Sequence, residues 1–320
     1  MDCSRPGCAG TAIIDRPYAG DHLCTLHFRE SIRDRVRREL HHQAPGLRGG
    51  LLAVGLSGGK DSAVTLALTH RILGSRRGLR MVAITIDEGI SDYRPRTVES
   101  ARELTRRLGI PHVVRSFSQE LGTRTEEAAR LLHEGAPCSW CGVWRRRLLN
   151  QAARELGAVR LAMGFNLDDL AQTVLMNLVR GEPHRLVQMA PHARRQPALV
   201  PRIAPLASIP EREVYLYARL EGIPFDHAQC PFAPHGGRNL FRDVLWQLEE
   251  KIPGSRHALL KTREKLLPLL LAGEPFEGPG TCPHCGEPSS GSTCRSCAYL
   301  EALQGARENG FIVPSGSGDP

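Results

Sequence analysis

The strongest constraint on the fold is an alternation of short apolar runs with longer amphipathic segments. The runs predict strands at 51–56, 80–87, 112–117 and 159–164, and the segments predict helices at 63–73, 95–108, 125–133, 142–156 and 167–179. Strands that are apolar throughout are buried on both faces, as in parallel sheets. The sequence therefore predicts an α/β fold, a parallel sheet with helices on both faces, and three later helices at 209–221, 239–250 and 255–271.

The ten cysteines fall into three groups, and the two terminal groups have zinc-ligand spacing. Near the C-terminus the pattern is Cys-x2-Cys-x8-Cys-x2-Cys, which is typical of a tetrahedral four-thiolate site. The N-terminal group supplies three thiols and a histidine. The sequence predicts two zinc ions, one bound by Cys3, Cys8, Cys24 and His27 and the other by Cys282, Cys285, Cys294 and Cys297.

The middle group comprises Cys138, Cys141 and Cys230, without an evident fourth ligand. Three interpretations remain open for it. The thiols could bind zinc with one open position. They could bind an iron–sulfur cluster with one iron left free. Alternatively, Cys138 and Cys141 could be a redox pair with Cys230 as the resolving thiol.

Together, these patterns divide the chain into five parts. They predict an N-terminal zinc module at 1–30, a basic helix and linker at 31–50, a catalytic domain at 51–272, a four-cysteine zinc ribbon at 273–300 and a disordered tail at 301–320.

The stretch Ser57-Gly58-Gly59-Lys60-Asp61-Ser62 follows the first predicted strand and precedes a helix. Its glycines let the backbone approach a phosphate, and the helix N-terminus offers free N–H groups. Lys60 is one of only four lysines in the chain. The loop is not a Walker A motif, because Val54 and Asp61 stand where glycine and Ser or Thr are required.

The charge balance favours a polyanionic partner. The chain has a net charge of +8 and a pI of about 9.1. Basic residues cluster at 33–38, 76–80 and 145–147, which indicates either nucleic-acid contacts or solvated helix faces. No apolar run of membrane-spanning length occurs, and the N-terminus has no apolar signal segment, so we expect no membrane association and a cytoplasmic protein.

The phosphate loop resembles the signature of the PP-loop ATP pyrophosphatases, which have a Rossmann-like fold. Members cleave ATP between the α- and β-phosphates and adenylate a carbonyl oxygen. The motifs Cys138-Ser-Trp-Cys141-Gly, Gly164-Phe-Asn-Leu-Asp168-Asp169 and Gln229-Cys230-Pro231 further resemble the TtuA-type tRNA 2-thiouridine synthases. The likeness extends from Cys3 to Cys297.

This resemblance implies a tRNA substrate, ATP with magnesium, and a [4Fe-4S] cluster on Cys138, Cys141 and Cys230. It also implies sulfur supplied by a ubiquitin-like thiocarboxylate protein or by sulfide, and it is compatible with a homodimer. By position, Asp169 and Arg145 would be catalytic. The nucleotide would contact Gly55, Ser57, Gly58, Gly59, Lys60, Asp61, Ser62, Ile86 and Gly164.

The sequence departs from the family pattern at three positions. Arg145 replaces a lysine, Phe165 a histidine and Leu170 a glutamate. Arginine still binds phosphate but cannot deprotonate. These departures keep open a sulfurtransferase that acts on a small-molecule acceptor. A non-catalytic RNA-binding protein is disfavoured by the intact phosphate loop and the three middle cysteines.

Overall fold

The computed structural model describes residues 1–132, 136–192, 198–233, 238–272, 280–289 and 291–309. An N-terminal hairpin of β1 (Ile14–Arg16) and β2 (Asp21–Leu23) leads into helix α1 (Thr25–Gln43). The hairpin packs on α1 and precedes the main sheet.

The central sheet has five parallel strands, which confirms the predicted fold class. In chain order they are β3 (Gly50–Gly55), β4 (Leu79–Asp87), β5 (His112–Ser116), β6 (Ala158–Ala162) and β7 (Arg202–Ile203). Their spatial order is β5-β4-β3-β6-β7. The chain thus leaves β3 toward β4 and later returns to the other side with β6. Parallel α/β sheets bind ligands at such a reversal, beside the carboxyl ends of the strands.

The helices that cover the sheet come mostly from the crossovers. They are α2 (Lys60–Leu73), α3 (Arg94–Leu108), α4 (Phe117–Leu121), α5 (Thr125–Leu131), α6 (Pro137–Glu155), α7 (Leu167–Val179) and α8 (Glu211–Leu220). A 3-10 turn covers Pro183–Gln188, and α9 (Arg238–Lys251) and α10 (Ser255–Ala272) pack beside α7. No helix of the described chain combines the length and apolar character that a membrane crossing requires.

Alternation along the strands divides the core into two layers. In β3, Leu52 and Val54 face a layer built with α1, α2, α3 and α8, whereas Ala53 faces a layer built around Trp140 and Trp144 of α6. Side chains of successive strand residues point to opposite faces, so a strand without polar residues must be covered on both sides. This arrangement places α2 and α6 on opposite faces of β3.

The C-terminal part contains the short strands β8 (Gly280–Thr281) and β9 (Pro288–Ser289) and helix α11 (Arg295–Glu308). The predicted tail at 301–320 is therefore wrong for residues 301–308, because α11 continues through them and buries Leu303 against α6. The rest of that prediction, from residue 310, lies outside the described residues, as do residues 273–279 of the predicted zinc ribbon.

Two other boundaries differ from the sequence predictions. Helix α1 begins at Thr25 rather than within residues 31–50, so His27 lies on it and Cys24 precedes its first turn. Helix α6 begins at Pro137 rather than at residue 142, which places Cys138 and Cys141 on a helix instead of a loop. Proline is favoured at the first helical position, where its missing N–H costs no hydrogen bond.

Candidate functional site

The turn between β3 and α2 has a backbone path that only glycine can follow. Gly58 has φ of +88°, and a Cβ built on it would lie 1.9 Å from the carbonyl oxygen of Thr97. The Ser57 N–H donates to Ser62 Oγ at 3.0 Å, and that hydroxyl donates to the Gly59 carbonyl at 2.9 Å. The turn is thereby closed on itself at the N-terminus of α2, where unpaired N–H groups favour an anion.

Lys60 lies at the mouth of this turn between two carboxylates. Its Nζ is 2.9 Å from Asp61 Oδ2 and 2.6 Å from Glu211 Oε1. Although burial opposes the charge, Asp61 and Glu211 raise the pKa of Lys60 above its usual value, so the ammonium remains charged. The sequence did not predict Glu211, because 151 residues separate it from Lys60.

The turn after β6 packs directly on the phosphate loop. A Cβ on Gly164 would lie 2.8 Å from the backbone nitrogen of Ser62, so this position needs glycine. Asn166 donates to Asp61 Oδ1 at 2.9 Å, and it also caps α7 in a reciprocal pair with Asp169. The two predicted motifs, far apart in sequence, therefore meet at one edge of the sheet.

Asp169 and Asp168 occupy different environments. Asp168 accepts the Glu211 N–H at 2.7 Å and pairs with Arg256 at 2.9 Å, which gives it structural partners. Burial and the charge of Asp61 raise the pKa of Asp169 to about 7. A carboxyl group with that pKa exchanges protons readily at neutral pH, as a general acid or base must.

A buried ion pair connects the phosphate loop to α6. Arg94 and Glu88 are 2% and 4% exposed, and their charged atoms are 2.6 Å apart. Arg94 also donates to the Ser57 carbonyl at 3.0 Å, while Glu88 lies 3.4 Å from Arg145. Neither Glu88 nor Arg94 was predicted from the sequence. Two signals in the sequence could have indicated them: Glu88 is an acidic residue directly after a strand, and Arg94 precedes a proline at the start of a helix.

The remaining nucleotide-site predictions lie at the ends of strands. Gly55 ends β3, and a Cβ built on it would lie 3.2 Å from Leu149 Cδ2. Ile86 is buried in the core on β4, and its carbonyl accepts a hydrogen bond from Arg94. Its side chain therefore does not line the phosphate loop, which leaves only its backbone available to a ligand.

The three middle cysteines converge near Arg145. Cys138 and Cys141 lie three residues apart in the first turns of α6, and Cys138 Sγ lies 3.4 Å from the Phe232 carbonyl in the segment that contains Cys230. Burial raises the pKa of Cys141 to about 11, and it also raises the pKa of Cys230, with Cys138 adding to the effect. All ten cysteines are free thiols.

The two terminal groups are packed far more tightly. Their ligand atoms all lie within 4.8 Å of one another, an arrangement found for no other group in the described residues. The Cys8–Cys24 and Cys285–Cys294 sulfur distances are 3.8 and 3.5 Å. Thiolates on one tetrahedral zinc stand about 3.8 Å apart, given Zn–S bonds of about 2.3 Å. Both donor sets therefore fit a single tetrahedral ion.

Nearby backbone N–H groups already favour thiolates in these groups. The pKa of Cys282 is lowered to about 6, chiefly by the N–H of Cys294. At Cys3, burial opposes ionisation, but the N–H groups of Cys24 and Arg5 lower its pKa to about 6. Metal ligands must be deprotonated, so these contacts favour metal binding at one cysteine of each group, whereas burial raises the pKa values of Cys285 and Cys297.

Two departures from the family pattern are explained by packing. Leu170 is 5% exposed in a core cluster, and Phe165 packs against the same cluster with side chains of α10. Neither residue belongs to the polar contacts around the phosphate loop. The apolar residues at these positions therefore serve the core.

The basic stretch of α1 is largely used inside the protein. Arg29 and Arg33 pair with Glu221, and Arg35 pairs with buried Glu213 at 2.6 Å. These arginines attach α1 to α8. Their charge is thus neutralised locally, as expected for a structural ion-pair network.

Comparison with known proteins extends these observations. A family model described as a PP-loop domain matches residues 32–249. The chain is 35% identical to the tRNA 2-thiolation protein NcsA of Haloferax volcanii, over 95% of this chain and 99% of that one. It is 35% identical to cytoplasmic tRNA 2-thiolation protein 1 of Mus musculus, over 91% and 70%.

The solved structures give the same grouping. The U34-tRNA thiolase NcsA from Methanococcus maripaludis, solved with its [4Fe-4S] cluster, is 31% identical, with a TM-score of 0.81 over 95% of this chain and 96% of that one. By fold, motif and overall identity, the chain belongs to the PP-loop ATP pyrophosphatase family, among its NcsA-type tRNA 2-thiolation proteins.

Proposed function

We propose that this protein is an ATP-dependent tRNA uridine 2-thiolation enzyme. The observation that carries the proposal is the convergence of Cys138, Cys141 and Cys230 beside Arg145, which Glu88 and Arg94 connect to the phosphate loop. Adenylation chemistry and sulfur transfer need adjoining sites, because the activated carbon must meet the sulfur before water does.

The reaction consists of two displacements. The C2 oxygen of a uridine attacks the α-phosphorus of ATP and releases pyrophosphate. Sulfide then attacks C2, and the original oxygen leaves with AMP. The Ser57–Ser62 turn would bind the phosphates through its N–H groups, and Lys60 would add a compact positive charge. Magnesium accompanies ATP, and Asp61 is a carboxylate beside the turn that could bind it.

In this proposal, Arg145 and Asp169 have different roles. Arginine remains protonated throughout the accessible pH range, so Arg145 would stabilise phosphate charge. Proton transfer to or from the acceptor would fall to Asp169, whose pKa of about 7 suits it.

The middle cysteines fit a [4Fe-4S] cluster better than a single metal ion. Each cysteine of a cubane binds a different iron, so the sulfurs need not lie within contact of one another, unlike those of the terminal groups. Once bound, the cluster would supply one iron without a protein ligand, at which sulfide can be held. A cationic side chain nearby, Arg145, suits the negative charge of three thiolates.

The terminal groups would each hold one structural zinc. We place the sulfur source in a ubiquitin-like thiocarboxylate protein or free sulfide, and the site of action in the cytoplasm. A homodimer is compatible with this scheme. Phe165 and Leu170, which serve the core, give no support to a small-molecule acceptor.

Anaerobic reconstitution tests the proposal directly. Protein loaded with iron and sulfide should bind about four irons per chain and produce 2-thiouridine from unmodified tRNA and ATP. Serine at position 138, 141 or 230 should abolish both, whereas Ser139→Ala, an exposed neighbour on the same helix, should leave both unchanged. Full thiolation by iron-free protein would instead assign persulfide chemistry to the thiols.

A further inference from the structure

Arg146 is surrounded by arginines from four parts of the fold. Arg145 precedes it on α6, Arg202 lies on β7, and Arg238 and Arg295 begin α9 and α11. Crowding by the surrounding protein and the charges of all four neighbours lower the pKa of Arg146 to about 10. Like charges gathered in this way repel one another unless an anion joins them.

None of Arg146, Arg202, Arg238 and Arg295 forms a direct ion pair inside the described part of the chain, although the charge of Glu287 acts on Arg202 and that of Asp169 on Arg238. Arginines elsewhere in the fold do have direct acidic partners, among them Arg35, Arg94 and Arg256. Arg145 and Arg146 differ sharply in this respect. Arg145 faces Glu88 beside the phosphate loop, whereas Arg146 has no ion pair in the described residues and has four arginines near it.

Neutral contacts hold these side chains in place without removing their charge. Arg238 donates to Thr173 Oγ1 at 3.0 Å and Gln172 Oε1 at 3.3 Å on α7, the helix that carries Asp169. Arg295 donates to the Tyr299 hydroxyl at 3.1 Å. The guanidinium groups of Arg238 and Arg295 are therefore held by neutral partners and keep their charge.

Arg146 itself lies back along α6 toward the middle cysteines. Its Nη1 is 3.2 Å from the position of a Cβ built on Gly142, so the absence of a side chain at 142 gives it room. Gly142 directly follows Cys141. The cluster thus adjoins the thiol group on one side and the C-terminal cysteine module on the other, through Arg295.

We infer that Arg146, Arg202, Arg238 and Arg295 form a binding site for the sugar–phosphate backbone of the RNA acceptor, next to its reacting nucleotide. This inference rests on the proposed function and specifies which surface meets the substrate. Arginine forks bind phosphate oxygens in bidentate fashion, and several of them on one surface suit a polyanion. The ATP phosphates have their own partners in the Ser57–Ser62 turn and Lys60.

Salt-dependent binding measures the inferred contacts. Affinity for a tRNA transcript would be measured by anisotropy between 50 and 200 mM KCl for the full-length wild type, Arg146→Gln, Arg295→Gln and the double variant. Each lost phosphate contact should reduce the slope of log K against log salt by about 1. Arg219→Gln is the matched control, because Arg219 is exposed on α8, which packs on the face of the sheet opposite α6. Arg146→Lys should retain part of the slope.

ATP affinity, measured on the same proteins, separates the alternatives. We expect it to be unchanged in all variants, with unfolding midpoints equal to that of the wild type. Salt slopes equal to that of Arg219→Gln would overturn the inference. A parallel loss of ATP affinity would also overturn it, because it would assign the arginines to the nucleotide. If the wild type binds and thiolates tRNA while the variants match the control, only this inference fails. If the wild type does not bind tRNA, the proposed function fails as well.

Discussion

Removing the buried arginine beneath the phosphate loop should strongly destabilise the protein. Arg94→Met deletes the nearer partner of Glu88, which is 4% exposed and would keep only Arg145, 3.4 Å away. Breaking a buried pair from one side costs about 3–5 kcal/mol. Arg94 also donates to the carbonyls of Ser57 and Ile86, each contact contributing about 1 kcal/mol. Because these contributions overlap, we expect a total loss of about 4 kcal/mol in the free energy of unfolding.

Urea unfolding followed by tryptophan fluorescence measures this loss, since the buried Trp140 and Trp144 report on the core beneath the sheet. Glu88→Gln combined with Arg94→Met should recover about 2 kcal/mol relative to the sum of the single variants, because no isolated charge remains. Arg106→Met, which removes an exposed ion pair on the same helix, should cost less than about 1 kcal/mol. Equal losses for Arg94→Met and Arg106→Met, or strict additivity with Glu88→Gln, would refute this reasoning.

Three further predictions concern the site and its metals. The pKa of Asp169 is raised to about 7 in the folded protein, so its stabilising contribution is complete below its unfolded pKa near 4 and is lost as pH rises through 7. Asp169→Asn should therefore gain stability relative to wild type between pH 4 and 8, and a pH-independent difference in urea midpoints would contradict this. Lys60→Ala should reduce formation of AMP and pyrophosphate from labelled ATP by at least about 100-fold. The control variant Lys251→Ala, at an exposed lysine, should match wild type. Formation of ADP instead of AMP would exclude the adenylation chemistry. Replacing Cys282 and Cys285 by serine should leave one of two zinc equivalents by metal analysis, and retention of both would reject the C-terminal site.

The sequence predicted the sheet well because its strands carry a physical signal. Four of the five parallel strands overlap predicted strands, most clearly the largely apolar β3 and β4. Helix α7 has the predicted bounds, since Asn166 caps it and an apolar pattern fills it. Strand β7 was missed, because two residues are too few to show any period. Helix α11 was not predicted, because the cysteines at its start and the glycines around it obscure the periodic pattern of its apolar residues.

The same distinction between local and long-range signals separates the site residues that the sequence predicted from those that it did not. The phosphate loop, Asp169 and the cysteine groups could be predicted from the sequence because each is a local pattern of specific residue types. Glu88, Arg94 and Glu211 were not, because their partners are determined by the sheet topology. An acidic residue that pairs with a lysine 151 positions away leaves no trace in the local sequence. The cluster around Arg146 was seen only as part of an Arg-Arg-Arg run, without its partners from β7, α9 and α11.

Helix α6 connects the middle cysteines to the C-terminal cysteine group. Its first turns carry Cys138 and Cys141, and Trp144 further along donates to the carbonyl of Ser296, which lies between Cys294 and Cys297. A helix rises about 1.5 Å per residue, so roughly 5 Å separates Cys141 from Trp144 along the axis. If the C-terminal module folds only with its zinc ion, zinc binding would therefore stabilise this helix before the middle cysteines bind iron. We expect zinc-depleted protein to accept iron poorly, and equal iron uptake with and without zinc would show that the two maturation steps are independent.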